Sequence, residues 1–235
     1  MNEGKILRDH HNIITYSEDK WALLKKKRVN AIKLLELFEN EGFKPFIYGS
    51  IARGDVHEFS DIDIVFIQTI PSFQIEYILN KNGYENYFRE IIMATPLDSI
   101  KLYIHLSEME SITIPLTKLD KNVFEFYNFG GKIALYELKS GIRVAGIDKR
   151  LVLIKPNQKG HEEISIIGNE ALAAKEVGVD IDTVNERKRV LLKREKHGRT
   201  GVFLKRSLNF DESTEEVLKN LAKRKAIVRK KILKS

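Results

Sequence analysis

Between Phe46 and Phe66 the chain reads FIYGSIARGDVHEFSDIDIVF, and no other stretch restricts its possible folds as tightly. Phe46-Ile47-Tyr48 is a short apolar run stopped by Gly49-Ser50, the pattern of a buried strand entering a tight turn. Glycine has no Cβ, so the backbone can turn sharply there. Ile51-Ala52-Arg53 then predicts the opening of a helix, whose first amides have no acceptor within the helix. With the Ser50 hydroxyl beside it, such a helix start is a cradle for phosphate, and Arg53 adds a charge-assisted contact. Eleven residues after Ser50 comes Asp61-Ile62-Asp63, heading a second apolar run that ends at Gln68. On a strand, residues two apart share a face, so both carboxylates project together while Ile62 and Ile64 face a core. Adjacent carboxylates repel each other unless a cation lies between them, and hard oxygen donors suit magnesium or manganese. That pattern matches a two-metal clamp that activates an attacking hydroxyl and steadies a leaving pyrophosphate. Neither Gly-Ser nor Asp-x-Asp means much alone; their conjunction within two apolar strands carries the reading.

The stretch from Gly49-Ser50-x-Ala52-Arg53-Gly54-Asp55 to Ser60-Asp61-x-Asp63 resembles the signature of the minimal nucleotidyltransferases of the DNA polymerase-β superfamily. The preceding helix and the strand order match too, over roughly residues 20–110. This resemblance implies an α+β fold, a mixed sheet with helices on one side. It also implies transfer of a nucleoside monophosphate from a nucleoside triphosphate, ATP being the favoured donor, to a hydroxyl. Under it Gly49 and Ser50 hold the triphosphate, and Asp61 and Asp63 bind Mg2+ or Mn2+. Such enzymes normally place a third carboxylate on the neighbouring strand, where it helps bind one metal and deprotonates the nucleophile. Glu90, within the strand expected over Tyr87–Ala94, is the first choice, although Glu replaces the more usual Asp. Asp98 is the second, in a stretch that Pro96 marks as a loop. With neither, the site binds nucleotide without turning it over. His57 and His105 read as structural histidines.

Elsewhere, helical spacing predicts a helix over Trp21–Gly42, and Pro71 opens another through Asn80. Ile100–Leu106 reads as a strand, and Ile112–Leu116 as an edge strand because Pro115 removes a ladder donor. Gly130, Gly131 and Gly141 suggest turns or a short hairpin within Val123–Val144. Lys155–Gly160 reads as a linker, which divides the chain into a nucleotidyltransferase domain at 1–155 and a helical, basic domain at 161–235. In the latter, Ala174, Gly178 and Val184 have the spacing of a helix-turn-helix: a small residue where the helices meet, a turn, and a branched anchor. Arg187 or Lys188 stands where the second helix would next turn inward, so its inner face resumes at Val190-Leu191. A last amphipathic helix is expected over about Ser213–Leu233.

Charge is distributed unevenly. Asn185–Ser235 holds 17 Lys and Arg against 6 Asp and Glu, out of 40 and 33 in the whole chain. A basic end on a near-neutral body points to a polyanionic partner, and Arg187, Lys188, Arg194 and Arg199 are the candidate contacts to DNA or RNA. The pairing of such a module with a nucleotidyltransferase resembles predicted archaeal nucleotidyltransferases. With no cysteine, disulfides and thiolate metal sites are excluded. Met1–Lys20 lacks the apolar core of a signal peptide and no run approaches a membrane span, so the expected location is cytoplasmic. Three readings follow: a metal-dependent nucleotidyltransferase, a nucleotide-sensing nucleic-acid-binding regulator, and an aminoglycoside-type small-molecule transferase, which the basic C-terminus disfavours.

Overall fold

A computed structural model describes residues 5–198 and 201–233. Its first elements are β1 (His11–Thr15), α1 (Glu18–Glu39), β2 (Phe46–Tyr48), α2 (Ser50–Arg53) and β3 (Ile62–Val65). There follow α3 (Ser72–Lys81), β4 (Phe88–Met93), β5 (Lys101–Ser107), β6 (Glu110–Pro115) and α4 (Lys121–Gly130). Next come β7 (Lys132–Ala134), α5 (Leu135–Lys139), β8 (Gly146–Ile147), β9 (Val152–Asn157) and β10 (Gly160–Ser165). The last are α6 (Glu170–Val177), α7 (Ile181–His197), β11 (Leu204–Leu208), α8 (Thr214–Arg224) and α9 (Ala226–Leu233). Among the described residues no helix is long and apolar enough to cross a membrane. The chain divides into two compact units. One comprises Met1–Ile32, Ile47–Ser60 and Phe124–Thr200; the other comprises Lys33–Phe46, Asp61–Val123 and Gly201–Ser235.

The first unit contains an antiparallel sheet in the order β1-β10-β9-β8. The expected linker Lys155–Gly160 is the tight turn of its central hairpin: Asn157 pairs with Gly160, and the Asn157 side chain accepts the Lys159 amide at 2.9 Å. Turn-forming residues were read correctly, but they join two strands of one sheet and not two domains. Where turns or a hairpin were expected across Val123–Val144, the chain forms α4 and α5 around the three residues of β7. Leu151, Leu153 and Ile166 form one core with Ala174, Val177, Val184 and Leu191 of the helix pair. α6 ends on Gly178 at φ 65°, a left-handed turn that glycine adopts without strain, and α7 starts after Asp180. The Ala174-Gly178-Val184 spacing thus does mark two helices meeting at a turn.

A buried polar network runs through this unit. The Tyr16 hydroxyl donates to the Gly54 carbonyl at 2.8 Å and meets His161 Nδ1 at 2.7 Å. Glu163 takes Arg150 at 2.7 Å and His10 at 2.5 Å. Burial pushes the Glu163 carboxyl up, but its bonds from Arg150 and His10 and the Arg150 charge outweigh this and hold it at about 2, against an ordinary 4.5. A depressed carboxylate pKa adds stability that is complete above the ordinary value and is lost as pH falls through the folded one. Glu163→Gln should therefore cost about 2–3 kcal/mol at neutral pH, the worth of charge-assisted bonds. The gap between variant and wild type should close between pH 4.5 and about 2. Thermal melts of both proteins across that window check this.

In the second unit five neighbouring strands run β11-β4-β5-β6-β3. β3 and β6 are parallel and the other pairs antiparallel, so the sheet is mixed. β6 was expected at an edge, yet it lies between β5 and β3. Pro115 is its final residue, opposite Lys101, so the missing N–H falls at the end of the ladder. Ile64, Ile91, Leu102, Ile104, Ile112 and Ile114 are fully buried, and Phe38 meets Phe66 edge-on at 5.4 Å. The expected C-terminal helix is two, broken at Lys225, which is extended at φ −125° and ψ 112°. α8 is tied to α3 by Glu215, which accepts from the Ser72 amide and hydroxyl at 2.9 and 3.0 Å.

Candidate active site

In the first unit, β2 ends at Tyr48 and α2 begins at Ser50. Gly49 makes the turn between them at φ 84° and ψ −143°, backbone that a side chain would strain. Its amide donates to Gly131 at 2.8 Å, anchoring the turn beside β7. Among the described residues, and its two chain neighbours aside, no atom stands within 4 Å of where a Gly49 Cβ would project, so the main chain is open to a ligand at this point. Ser50 is half-buried in the first turn of α2, while Ile51 and Ala52 are buried behind it.

Arg53 does not reach this opening. Its guanidinium is buried and grips both oxygens of Asp55 at 3.0 Å, with a third bond of 2.6 Å to the Gly130 carbonyl. The expected phosphate contact is replaced by a structural one. A planar guanidinium taken out of water needs its donors satisfied, and Asp55 with Gly130 satisfies them.

In the second unit, β3 shows the expected alternation. Ile62 and Ile64 are buried, Asp63 is half-buried and Asp61, just ahead of the strand, is exposed. The Ser111 hydroxyl on β6 donates to Asp63 Oδ1 at 2.8 Å. Sequence reasoning found β6 but missed this partner, because register across a parallel pair leaves no local signal. Asp63 shares its row across the sheet with Ser111, His105 and Phe88. Farther along the same face, Val65, Thr113, Tyr103 and Glu90 form the next row. Burial first, then the Asp63 and Asp98 charges, push the Tyr103 phenol up to about 12.

Glu90 therefore does not stand on the strand beside β3. It shares the face of Asp63 but lies three strands away, a separation of about 14 Å at the usual strand spacing, beyond the span of a shared metal. Its carboxylate is buried, paired with Lys205 at 2.9 Å and bonded by the Ser207 hydroxyl at 3.3 Å. Asp98 accepts the Thr95 amide at 2.9 Å in the loop expected for it. On β6, Ser111 and Thr113 hold the positions facing with Asp63, and Glu110, opposite Ile62, alternates to the other face. His57 is exposed, and His105 is stacked between Phe88 and Tyr103.

Among the described residues no group of three or more His, Cys, Asp or Glu side chains converges to hold a metal. The donor set nonetheless suits magnesium, which is commonly held by one or two carboxylates, with water and substrate phosphates completing its shell.

The family model for the nucleotidyltransferase domain matches residues 7–127, more than half of the chain. The chain belongs to this family. No curated protein and no solved structure matches it. The matched span of the nucleotidyltransferase domain takes in Gly49, Ser50, Asp61 and Asp63 and stops short of the basic C-terminal segment. In that segment, two of the expected nucleic-acid contacts are already engaged within the first unit. Arg187 lies 4.6 Å over the Phe126 ring, and Lys188 pairs with Glu170 at 2.5 Å. Arg194 is exposed, and Arg199 lies outside the described residues. Exposed Arg189, Lys193 and Lys196 recur at helical spacing on α7.

Proposed function

We propose that this nucleotidyltransferase moves a nucleoside monophosphate, AMP first among them, from a nucleoside triphosphate to a hydroxyl in a reaction that depends on Mg2+ or Mn2+. The observation carrying this reading is the β3 strand, on which Asp63, two residues after Asp61, is held by Ser111 and backed by buried Ile62 and Ile64. In this reading the Gly49 main chain and Ser50 receive the triphosphate, and Asp61 and Asp63 hold the metal. The bound ion would neutralise phosphate charge and make the attacking hydroxyl more acidic. The Ser111 hydroxyl, donating to Asp63 Oδ1 at 2.8 Å, would orient that carboxylate towards the ion. Glu90 has no part in metal binding here. Incubation with each α-labelled triphosphate and Mg2+, against alcohol-bearing small molecules, RNA, DNA and protein, tests the reading. Absence of label transfer to every acceptor, with nucleotide binding retained, would favour the nucleotide-sensing alternative.

A nucleic-acid partner is supported by the exposed stripe Arg189, Lys193 and Lys196 rather than by Arg187 and Lys188. Each phosphate contact should contribute about −0.9 to the slope of log affinity against log salt on duplex DNA. The Arg189→Ala, Lys193→Ala pair should flatten that slope by up to ~2 in the whole chain, and Lys188→Ala by little. A salt titration against duplex DNA and folded RNA checks it, and equal effects from the two sets would refute the assignment.

A further inference from the structure

We infer that the recess beside Glu90 binds a small organic cation carrying protonated amines, and that it receives the acceptor of the transfer reaction. It is an open cavity of about 710 Å³ in the second unit, between β4, β5 and the segment after β11. Two of its walls are aromatic and unusually bare: Phe88 is 48 % exposed and Phe210 is 84 % exposed. Phe88 is backed by His105, the two rings stacked at 6.0 Å, and His105 in turn lies 6.4 Å from the half-buried Tyr103. A bare ring backed on one side by another presents its negative face to whatever enters.

The charges select among possible occupants. Lys205 reaches into the recess and is matched by Glu90, the buried carboxylate at its floor, at 2.9 Å. Glu85 and Glu108 then remain as an exposed acidic rim. Aromatic faces with surplus carboxylate favour an ammonium, which gains from both. The same rim disfavours a phosphodiester strand, which would bring negative charge against it. A neutral heterocycle could stack on Phe88 but would leave the acidic surplus unmatched.

Location gives the recess its role. Phe88 and His105 lie in the row of Asp63, on the same face of the sheet. His105 is two strands away, about 10 Å, so a molecule of a few rings or a short chain bridges from the recess to the carboxylate. The acceptor role rests on the nucleotidyl-transfer reading; binding of the cation does not.

Calorimetric titration of spermidine into the whole chain, without nucleotide, tests the binding. Wild type should bind with an affinity that falls as salt rises. Phe88→Ala should weaken it by about threefold, the scale of an exposed cation–π contact. Glu85→Gln with Glu108→Gln should weaken it by a few-fold more, as a rim ion pair would. All three residues are exposed, so the variants should keep their melting temperatures near that of wild type. Adenosine binding in place of spermidine would overturn the proposal. So would the absence of binding by either probe, or spermidine binding indifferent to these substitutions. With the transfer assay in hand, spermidine should inhibit competitively against the acceptor, and non-competitive behaviour would remove the acceptor role. A chain that binds spermidine as described yet transfers no nucleotide would sink only the catalytic reading.

Discussion

Replacing Asp63 by Asn should lower label transfer by about 10²–10³-fold, the scale on which one electrostatic group at a reacting centre counts. Asp61→Asn should do the same. Both changes keep size and shape and remove one negative charge from the pair that would hold the metal. Neither should unfold the protein. Asp61 is exposed, and the Ser111 hydroxyl that donates to Asp63 Oδ1 at 2.8 Å can donate to an amide oxygen just as well. A stability change within about 1 kcal/mol is expected for each. Metal-dependent nucleotide binding should weaken along with turnover. Glu90→Gln serves as the contrast: three strands from β3 and paired with Lys205 in the recess, it should spare metal-dependent nucleotide binding and raise KM for the acceptor rather than lower kcat. Asp98→Asn should cost transfer little. Full activity in either aspartate variant, assayed across Mg2+ and Mn2+, would sink the catalytic assignment. A loss of kcat with Glu90→Gln as deep as that with Asp63→Asn would show that the strand order misplaces the chemistry.

The residues around β3 were legible because their chemistry is local. Alternation puts Asp63 opposite in sense to Ile62 and Ile64, and a glycine with φ 84° is the natural way to pass from β2 into α2. Strand order is a different matter. Glu90 lies in a strand of the expected type, but that β6 and not β4 adjoins β3 depends on pairing between segments tens of residues apart. Pro115 misled for a related reason: it removes a donor, yet at the last position of an interior strand the loss falls outside the ladder. Pro156, Asn157 and Gly160 announced a turn, and a turn looks the same whether it joins strands or domains. The basic residues of α7 were read by charge alone. Phe126, which Arg187 covers, and Glu170, which Lys188 meets, are far enough off in sequence that no periodicity on α7 reveals them.

Arg53 makes the clearest separation between a residue that touches substrate and one that holds the cradle. Its guanidinium is buried with both bonds to Asp55 at 3.0 Å and a bond to Gly130 at 2.6 Å, and Asp148 nearby adds a second carboxylate. Burial disfavours the charged guanidinium, yet these neighbours outweigh it and raise its pKa above the ordinary value. The charge is thus present at every pH where the protein is folded. Burial pushes the Asp148 carboxyl up, and Arg150 and Arg53 pull it back. Removing Arg53 would leave Asp55 without its bidentate partner and Asp148 with one cation fewer. Arg53→Ala should therefore destabilise the protein by about 3–5 kcal/mol, the cost of leaving a buried charge unpaired. For a chain of this size that is a fall of about 10 °C in melting temperature. Arg53→Lys keeps the charge but cannot span both oxygens of Asp55, and should cost about half as much. Nucleotide affinity separates the two roles. If Arg53 holds the fold, Arg53→Lys at a temperature where it stays folded should bind triphosphate within a few-fold of wild type. If Arg53 instead gripped phosphate, the alanine variant would melt near wild type and lose affinity. Denaturant melts of both variants, with nucleotide titrations run alongside, decide it: a stable Arg53→Ala protein that no longer binds triphosphate would overturn the structural role assigned to this ion pair.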